Sequence, residues 1–515
     1  MTVWTVLPND SKFTIQDAVD AAAPGDTINV QAGTYENEFL DIRKSLVLQA
    51  VNGRVFMTAT EDAPNGKGII TEGGSGVDLT INGFDISGAT VSDDDGANGA
   101  AIRYEGGNLS LNNVYIHNNQ EGILAFPLPD LSGTGTIAID HSEFAFNGDA
   151  SGPGSGFTHN LYIGDVANFT ITNSYIHDAV VGHEIKSRAK NTTITGNRIF
   201  DNLKTASYSI DLPDGGNATI TNNVIEQGPN TQNPNIIAYG EESQNNPGTS
   251  VLIANNTIVN DDASPDARLV KNGSPTTLLF HNNQIFGLTA AQLSTTGPLA
   301  DSGTTFLTTE PTLDTSPVDI ACFCAGTMIA CPDGERAVEA LSIGDLVLTW
   351  DGRVMPVRWI GRNTVSTRFA DPLRVLPIRI AAGALADHLP VRDLLVSPEH
   401  AVLVDDILVE AGALVNGLSI LRESNVAETF VYYHIELAEH ALVLAEGVPA
   451  ESFVDNIHRM AFDNWEEHEA LYGDAPIVEM DYPRARSHRQ VPMEIRVRLL
   501  DRAATMPAVQ REIAA

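Results

Sequence analysis

The chain has 515 residues, long for one domain, and 43% hydrophobic content with 43 glycines and 26 prolines marks it as folded and rich in turns. Its formal net charge of -36 argues against nucleic acid, where phosphate contacts need clustered Lys and Arg, and against anionic membranes. It suits solubility in salty or extracellular surroundings, and no apolar run is long enough to predict a transmembrane helix.

Both parts of the chain are acidic: residues 1–320 carry 13 basic and 37 acidic side chains, and the remainder 17 and 29. The opening Met1-Thr2-Val3-Trp4-Thr5-Val6-Leu7-Pro8 lacks a basic stretch and a long apolar core, so it is not a standard signal peptide. An extracellular or cell-surface location would then need another route.

Ile15, Val19 and Ala22 share a helical face, and Pro24-Gly25-Asp26 ends that helix. An amphipathic helix is what a solenoid needs over its open end. The coils begin at Thr27-Ile28-Asn29-Val30. A repeat follows, of the kind Ile220-Thr221-Asn222-Asn223-Val224-Ile225. Its apolar anchors at 81, 111, 139, 171, 194, 220, 253 and 280 lie 23 to 33 residues apart. Apolar residues alternate with period two, which predicts strands. Asn and Gly at the corners supply left-handed backbone at low cost, and stacked Asn residues are expected to form ladders. The pattern resembles the right-handed parallel β-helix of pectate lyases and related carbohydrate-active proteins. One coil cannot bury its inner face, whereas a stack can.

A second strand in each coil carries polar residues. Aligned on the inward apolar residue, Tyr162, Lys186 and Asp211 form one column and His159, His183 and Tyr208 another. Arg188 belongs to the densest stretch, and Tyr239, Glu241 and Glu242 are expected one coil on. Three readings stay open. The residues form a solvated face in which Lys186 pairs with Asp211, or a sugar-binding groove, or a catalytic site. The resemblance implies polysaccharide as the partner, since lyases of this architecture use Lys, Arg or Tyr beside an acidic cluster. The Asn-x-Ser/Thr sequences at Asn108, Asn168, Asn191, Asn217 and Asn255 follow from the Asn/Thr-rich corners.

Residues 1–315 are therefore expected to form the β-helix and 316–321 a junction. The stretch 301–321 reads as a linker or a closing half-coil. From 322 the pattern changes to short strands at 345–349, 354–360, 394–396, 401–404 and 432–437, with hairpin turns at Asp351-Gly352 and Asp405-Asp406. All three cysteines, Cys322, Cys324 and Cys331, fall here. That is no disulfide framework, and without a His cluster at zinc spacing no metal or cofactor is expected.

Cys322-Phe323-Cys324-Ala325-Gly326-Thr327, Gly344-Asp345, Ser397-x-x-His400 and Tyr433-His434…His440 together resemble the Hint module of hedgehog proteins and inteins. The whole is thus expected to be all-β, a parallel β-helix solenoid followed by a Hint-type module in 322–515. The resemblance implies cleavage of the Ala321–Cys322 bond. Cys322 is the nucleophile that forms a thioester, and Ser397 and His400 serve the departing amide, with Ser in place of the motif's Thr. His440 is the second histidine.

Two departures matter. Glu451-Ser452 stands where inteins have His-Asn, which disfavours splicing, and a Tyr-Asp pair becomes Tyr433-His434. The tail shows no sterol-recognition signature, so the acyl acceptor, water or another nucleophile, stays unidentified. Cys324 and Cys331 read as bystanders, and the tail's arginines, Arg484 among them, as solvated surface. The alternatives are a surface carbohydrate-binding protein with an inactive Hint module, and a polysaccharide lyase or epimerase.

Overall fold

The computed structural model describes residues 2–8, 12–151, 156–246, 248, 250–294, 296–311, 313, 321–366, 375–427, 429–453, 462, 464–472, 477, 480, 482–485, 488 and 490–506. Contacts divide the chain into two compact units, with the division between Leu313 and Asp314. Of the expected junction at 316–321, residues 316–320 lie outside the described residues. No described helix is long and apolar enough to cross a membrane.

The first unit is a parallel β-helix. The eight expected anchors stand in one register column, Ile81–Leu111–Ile139–Ile171–Ile194–Ile220–Ile253–Phe280, which Leu48 and Ile28 extend. Each side chain is buried against the next coil's counterpart, so the period-two alternation becomes one continuous apolar core. The helix Ile15–Ala21 buries Ile15, Ala18 and Val19, and Thr14 and Asp17 cap its start reciprocally.

The Asn pairs at the corners divide two tasks. In Asn222-Asn223 the first residue takes the left-handed conformation, φ 57°, and the second stacks. Asn197, Asn223, Asn256 and Asn283 form a buried ladder with Nδ2–Oδ1 distances of 3.1, 3.0 and 3.0 Å. Each Oδ1 also accepts the backbone N–H of the preceding coil's Asn at 2.9 Å. The strands Leu299–Ser302 and Thr305–Phe306 pair with the last full coil, so the stretch after residue 298 begins as a closing half-coil rather than a linker.

A separate nine-stranded sheet runs from Leu40–Ile42 to Arg268–Asn272 and holds the polar columns. Tyr162 pairs with Lys186 and Lys186 with Asp211 in register. Tyr239 does lie one coil on, but off the polar face. It lies opposite Leu212, one position past the column, and points into the core with its hydroxyl on the Gly216 carbonyl at 2.8 Å.

The second unit contains a six-stranded and a seven-stranded sheet. Phe323–Cys324 is a short strand held between Val396 and Tyr433. Asp405 and Asp406 both have positive φ, 49° and 62°, as a two-residue hairpin turn requires. The stretch read as one strand over 354–360 is two. Val354–Pro356 closes a hairpin with Leu346–Leu348, while Trp359–Ser366 joins Thr429–Glu436.

Candidate functional site

Cys322 enters the six-stranded sheet immediately before Phe323, and Ser397 leaves it immediately after Val396. That register puts the two residues side by side. The Cys322 N–H donates to Ser397 Oγ at 2.8 Å, and the Ser397 N–H donates to the Cys322 carbonyl at 2.8 Å. The nitrogen held by the hydroxyl belongs to the Ala321–Cys322 peptide bond. Both residues are buried.

His400 follows one turn later, its N–H on the Ser397 carbonyl at 3.2 Å. Its ring packs on Phe323 with centroids 4.1 Å apart, and neither ring nitrogen has a hydrogen-bond partner among the described residues. Burial pushes its pKa well below the usual range, and the neighbouring His434 and Arg484 add to this, so it is held neutral. His434 lies 5.7 Å from His400. Burial, with His440 nearby, pushes it down to about 3.

His440 Nδ1 accepts the Met480 N–H at 3.0 Å, so the neutral ring carries its proton on Nε2, which lies 3.7 Å from Glu451 Oε2. Glu451 accepts the Ala401 N–H at 2.9 Å and pairs with Arg484 at 2.6 Å. Arg484 is thus part of a buried network rather than the solvated surface expected of it; Arg486 lies outside the described residues. Among the described residues Cys322, Cys324 and Cys331 form no disulfide, and burial pushes Cys324 up to about 12, far from thiolate.

Sequence reasoning named Cys322, Ser397, His400 and His440 and passed over His434 as a role. The structure joins Cys322 directly to Ser397, and among the described residues His434 lies beside His400 with His440 near it, while Arg484 and Glu451 form a second link between the two. The signal for His434 was present, since Tyr433-His434 breaks the family's Tyr-Asp pattern.

On the β-helix, identical positions on successive coils lie about 5 Å apart, and the rings of His159 and His183 stack at 4.8 Å. His183 and Tyr208 follow at 5.1 Å, and His159 and Tyr162 at 5.6 Å. Each His Nδ1 accepts the N–H of the next coil's residue, His183 on His159 at 2.9 Å and Tyr208 on His183 at 3.1 Å. Both rings are consequently neutral; burial, with Lys186 near, pushes His183 down to about 3.

Lys186 Nζ lies 3.3 Å from Asp211 and 3.0 Å from Glu242. Arg188 bonds Tyr162 Oη at 2.9 Å, Asp214 at 2.7 Å, and Glu242. Burial pushes Asp211 up to about 6 against the pull of Lys186. The six residues expected here do meet, but the cations are closed by acids, of which Asp214 was not foreseen. Glu121, fully buried on the same sheet beside Arg103, was also missed; burial holds it protonated. Among the described residues no group of three or more His, Cys, Asp or Glu is arranged to hold a metal.

Residues 321–456 match the family model for the Hint domain. No curated protein sequence matches the chain. Among solved structures, an alginate lyase from Paenibacillus sp. str. FPU-7 is 17% identical with a TM-score of 0.35, over 56% of this chain and 95% of that one. Pectate lyase Pel9A is 14% identical with a TM-score of 0.33, over 59% and 79%. The neighbours are parallel β-helix proteins, though the fold of the first unit is established by its own strand register. A parallel β-helix thus precedes, in sequence, the Hint-domain match at residues 321–456.

Proposed function

We propose that the Hint domain cleaves its own chain at Ala321–Cys322 and so releases or transfers the β-helix. The observation that carries this reading is the 2.8 Å contact between Ser397 Oγ and the Cys322 nitrogen. In the reaction Cys322 Sγ attacks the Ala321 carbonyl carbon, the C–S bond forms, the C–N bond breaks, and the thiol proton passes to the nitrogen. A neutral His400 accepts that proton. The imidazolium so formed is a strong acid in an apolar pocket and readily gives the proton up again. Ser397 bridges to the nitrogen as it turns from amide to amine. The thioester then passes to water or another nucleophile. Release of an acidic β-helix outside the cell or at its surface belongs to the same reading.

The test is intact-mass analysis of purified protein with and without thiol or hydroxylamine, which intercept a thioester and spare an amide. Two fragments divided at Ala321 and Cys322 are expected, and none from Cys322→Ala. A folded wild-type chain that stays at full length under both reagents removes the reading.

A second reading concerns the β-helix as a carbohydrate-binding face. It is favoured by the stacked His159, His183, Tyr208 and Tyr162 beside Lys186 and Arg188. With Lys186 held by two carboxylates, binding is better supported than catalysis by a free lysine base. A glycan array with the full chain and a Lys186→Ala/Asp211→Ala variant decides it. Equal signal from both, or none, leaves a structural solenoid.

A further inference from the structure

The family match ends at residue 456, yet the buried surroundings of Cys322 include residues beyond it. Cys322 shares one apolar cluster with Cys324, Trp359, Tyr432 and Phe453, and also with Phe462 and Ile477. Phe462 sits edge-on to Trp359 at 5.3 Å and stacks with His434 at 6.0 Å. Gly361 makes room for it, since a Cβ at that position would come within 2.6 Å of the Phe462 ring.

Polar contacts hold further described residues of the tail. Asn464 accepts the Arg362 N–H and donates to the Ile360 carbonyl, each at 2.9 Å. His468 bonds the buried Glu436 at 2.9 Å, and Tyr472 donates to the Arg358 carbonyl at 3.0 Å. Beyond Ile477, Met480 and Arg484 reach His440 and Glu451. The tail therefore packs on the nucleophile's own cluster and bonds to two further polar residues of the site.

We propose that Phe462 and Ile477 form a water-excluding cover over Cys322, and that this cover decides which nucleophile reaches the thioester. This rests on the cleavage reading above. In the acceptor step the carbonyl–Sγ bond breaks, the acceptor's nucleophilic atom bonds to the carbonyl carbon, and the acceptor's proton ends on the sulfur. Water is present everywhere, so a site selective for another acceptor has to keep it out. Large apolar side chains in the cluster that buries Cys322 do that.

The test uses the full uncleaved chain and iodoacetamide, with each cysteine followed by peptide mass. In the wild type Cys322 reacts slowly. Phe462→Ala raises its rate about tenfold or more while Cys331, buried in a different cluster, keeps its own rate. Phe462→Leu, which restores apolar bulk, stays near the wild type. In cleaving protein, Phe462→Ala also shifts product from hydroxylamine capture towards hydrolysis.

An unchanged Cys322 rate in Phe462→Ala, with Cys331 unchanged, overturns the cover. If Phe462→Ala frees both thiols alike, the smaller Ile477→Ala truncation decides by the same comparison. Alkylation is read whether or not the wild type cleaves. A chain that never cleaves but shows this pattern overturns the cleavage reading and leaves the cover standing; cleavage without this pattern does the reverse.

Discussion

Ser397→Ala is the substitution that bears most directly on the proposed reaction. In the folded chain it deletes one of two reciprocal hydrogen bonds, the one from the Cys322 N–H to Oγ, and keeps the other. Removing a donor to a developing charge typically slows a reaction about 100- to 1,000-fold. Here the effect is smaller, because the same contact already exists before reaction and only its strengthening counts. A differential of about 1–2 kcal/mol corresponds to a slowing of roughly 5- to 30-fold. The stranded N–H also costs about 1–3 kcal/mol of stability, since it is buried. Ser397→Thr retains the oxygen and stays within a few-fold of the wild type. The assay is the time course of fragment appearance by intact mass in hydroxylamine, with folding checked by circular dichroism. A folded Ser397→Ala that cleaves at the wild-type rate refutes the role of the hydroxyl.

Asn256→Ala strands the Asn223 N–H and Nδ2 donors and the Ile220 carbonyl inside the ladder, at about 3–5 kcal/mol, seen as a lower urea midpoint of the β-helix. Arg484→Gln leaves Glu451 without its buried cation and costs about 3 kcal/mol, read as faster hydrogen exchange over Val448–Glu451. His434 is pushed down to about 3, so below about pH 6.5 only the unfolded chain takes up its proton. Stability then falls as pH falls, by roughly 2 kcal/mol at pH 5, measured as exchange over Thr429–Glu436 corrected for intrinsic rate. Burial pushes Glu226 up to about 8, and it works the opposite way: its contribution is present at pH 4 and lost as pH rises through 8, which exchange over Val224–Gln227 reports.

What the sequence made legible was periodic. The anchor column from Ile81 to Phe280 could be read because each inward residue repeats at the same corner, and that fixed the register of Tyr162, Lys186 and Asp211 as well. Tyr239 shows the limit of the method. A shift of one residue reverses the face, and Tyr239 lies one place past the column, in the core. Glu242 was placed one coil on, but its grip on Lys186 and Arg188 comes from a loop that no periodicity describes. The Ser397-x-x-His400 spacing could be read because it spans one turn. The links from Arg484 to Glu451 and from Phe462 to the Cys322 cluster join segments that are patternless in sequence, and only the fold brings them together.

Burial places its own demand on the chemistry. Cys322, Ser397, His400 and His434 are each no more than 2% exposed. Separated charges are expensive in such a place, so in the proposed reaction the proton that leaves the thiol has to reach the amide nitrogen over a short path. The 2.8 Å approach of Ser397 Oγ to that nitrogen provides one. Neutral imidazoles at His400 and His434 suit the same demand. In the proposed shift the same burial, which calls for a short proton path by way of His400 and Ser397, also favours the reverse reaction, because the new amine is held beside the thioester and can attack it again. On the proposed reading, departure of the β-helix depends on an outside nucleophile reaching the sulfur-bound carbonyl, and the apolar side chains clustered with Cys322 would stand in its way.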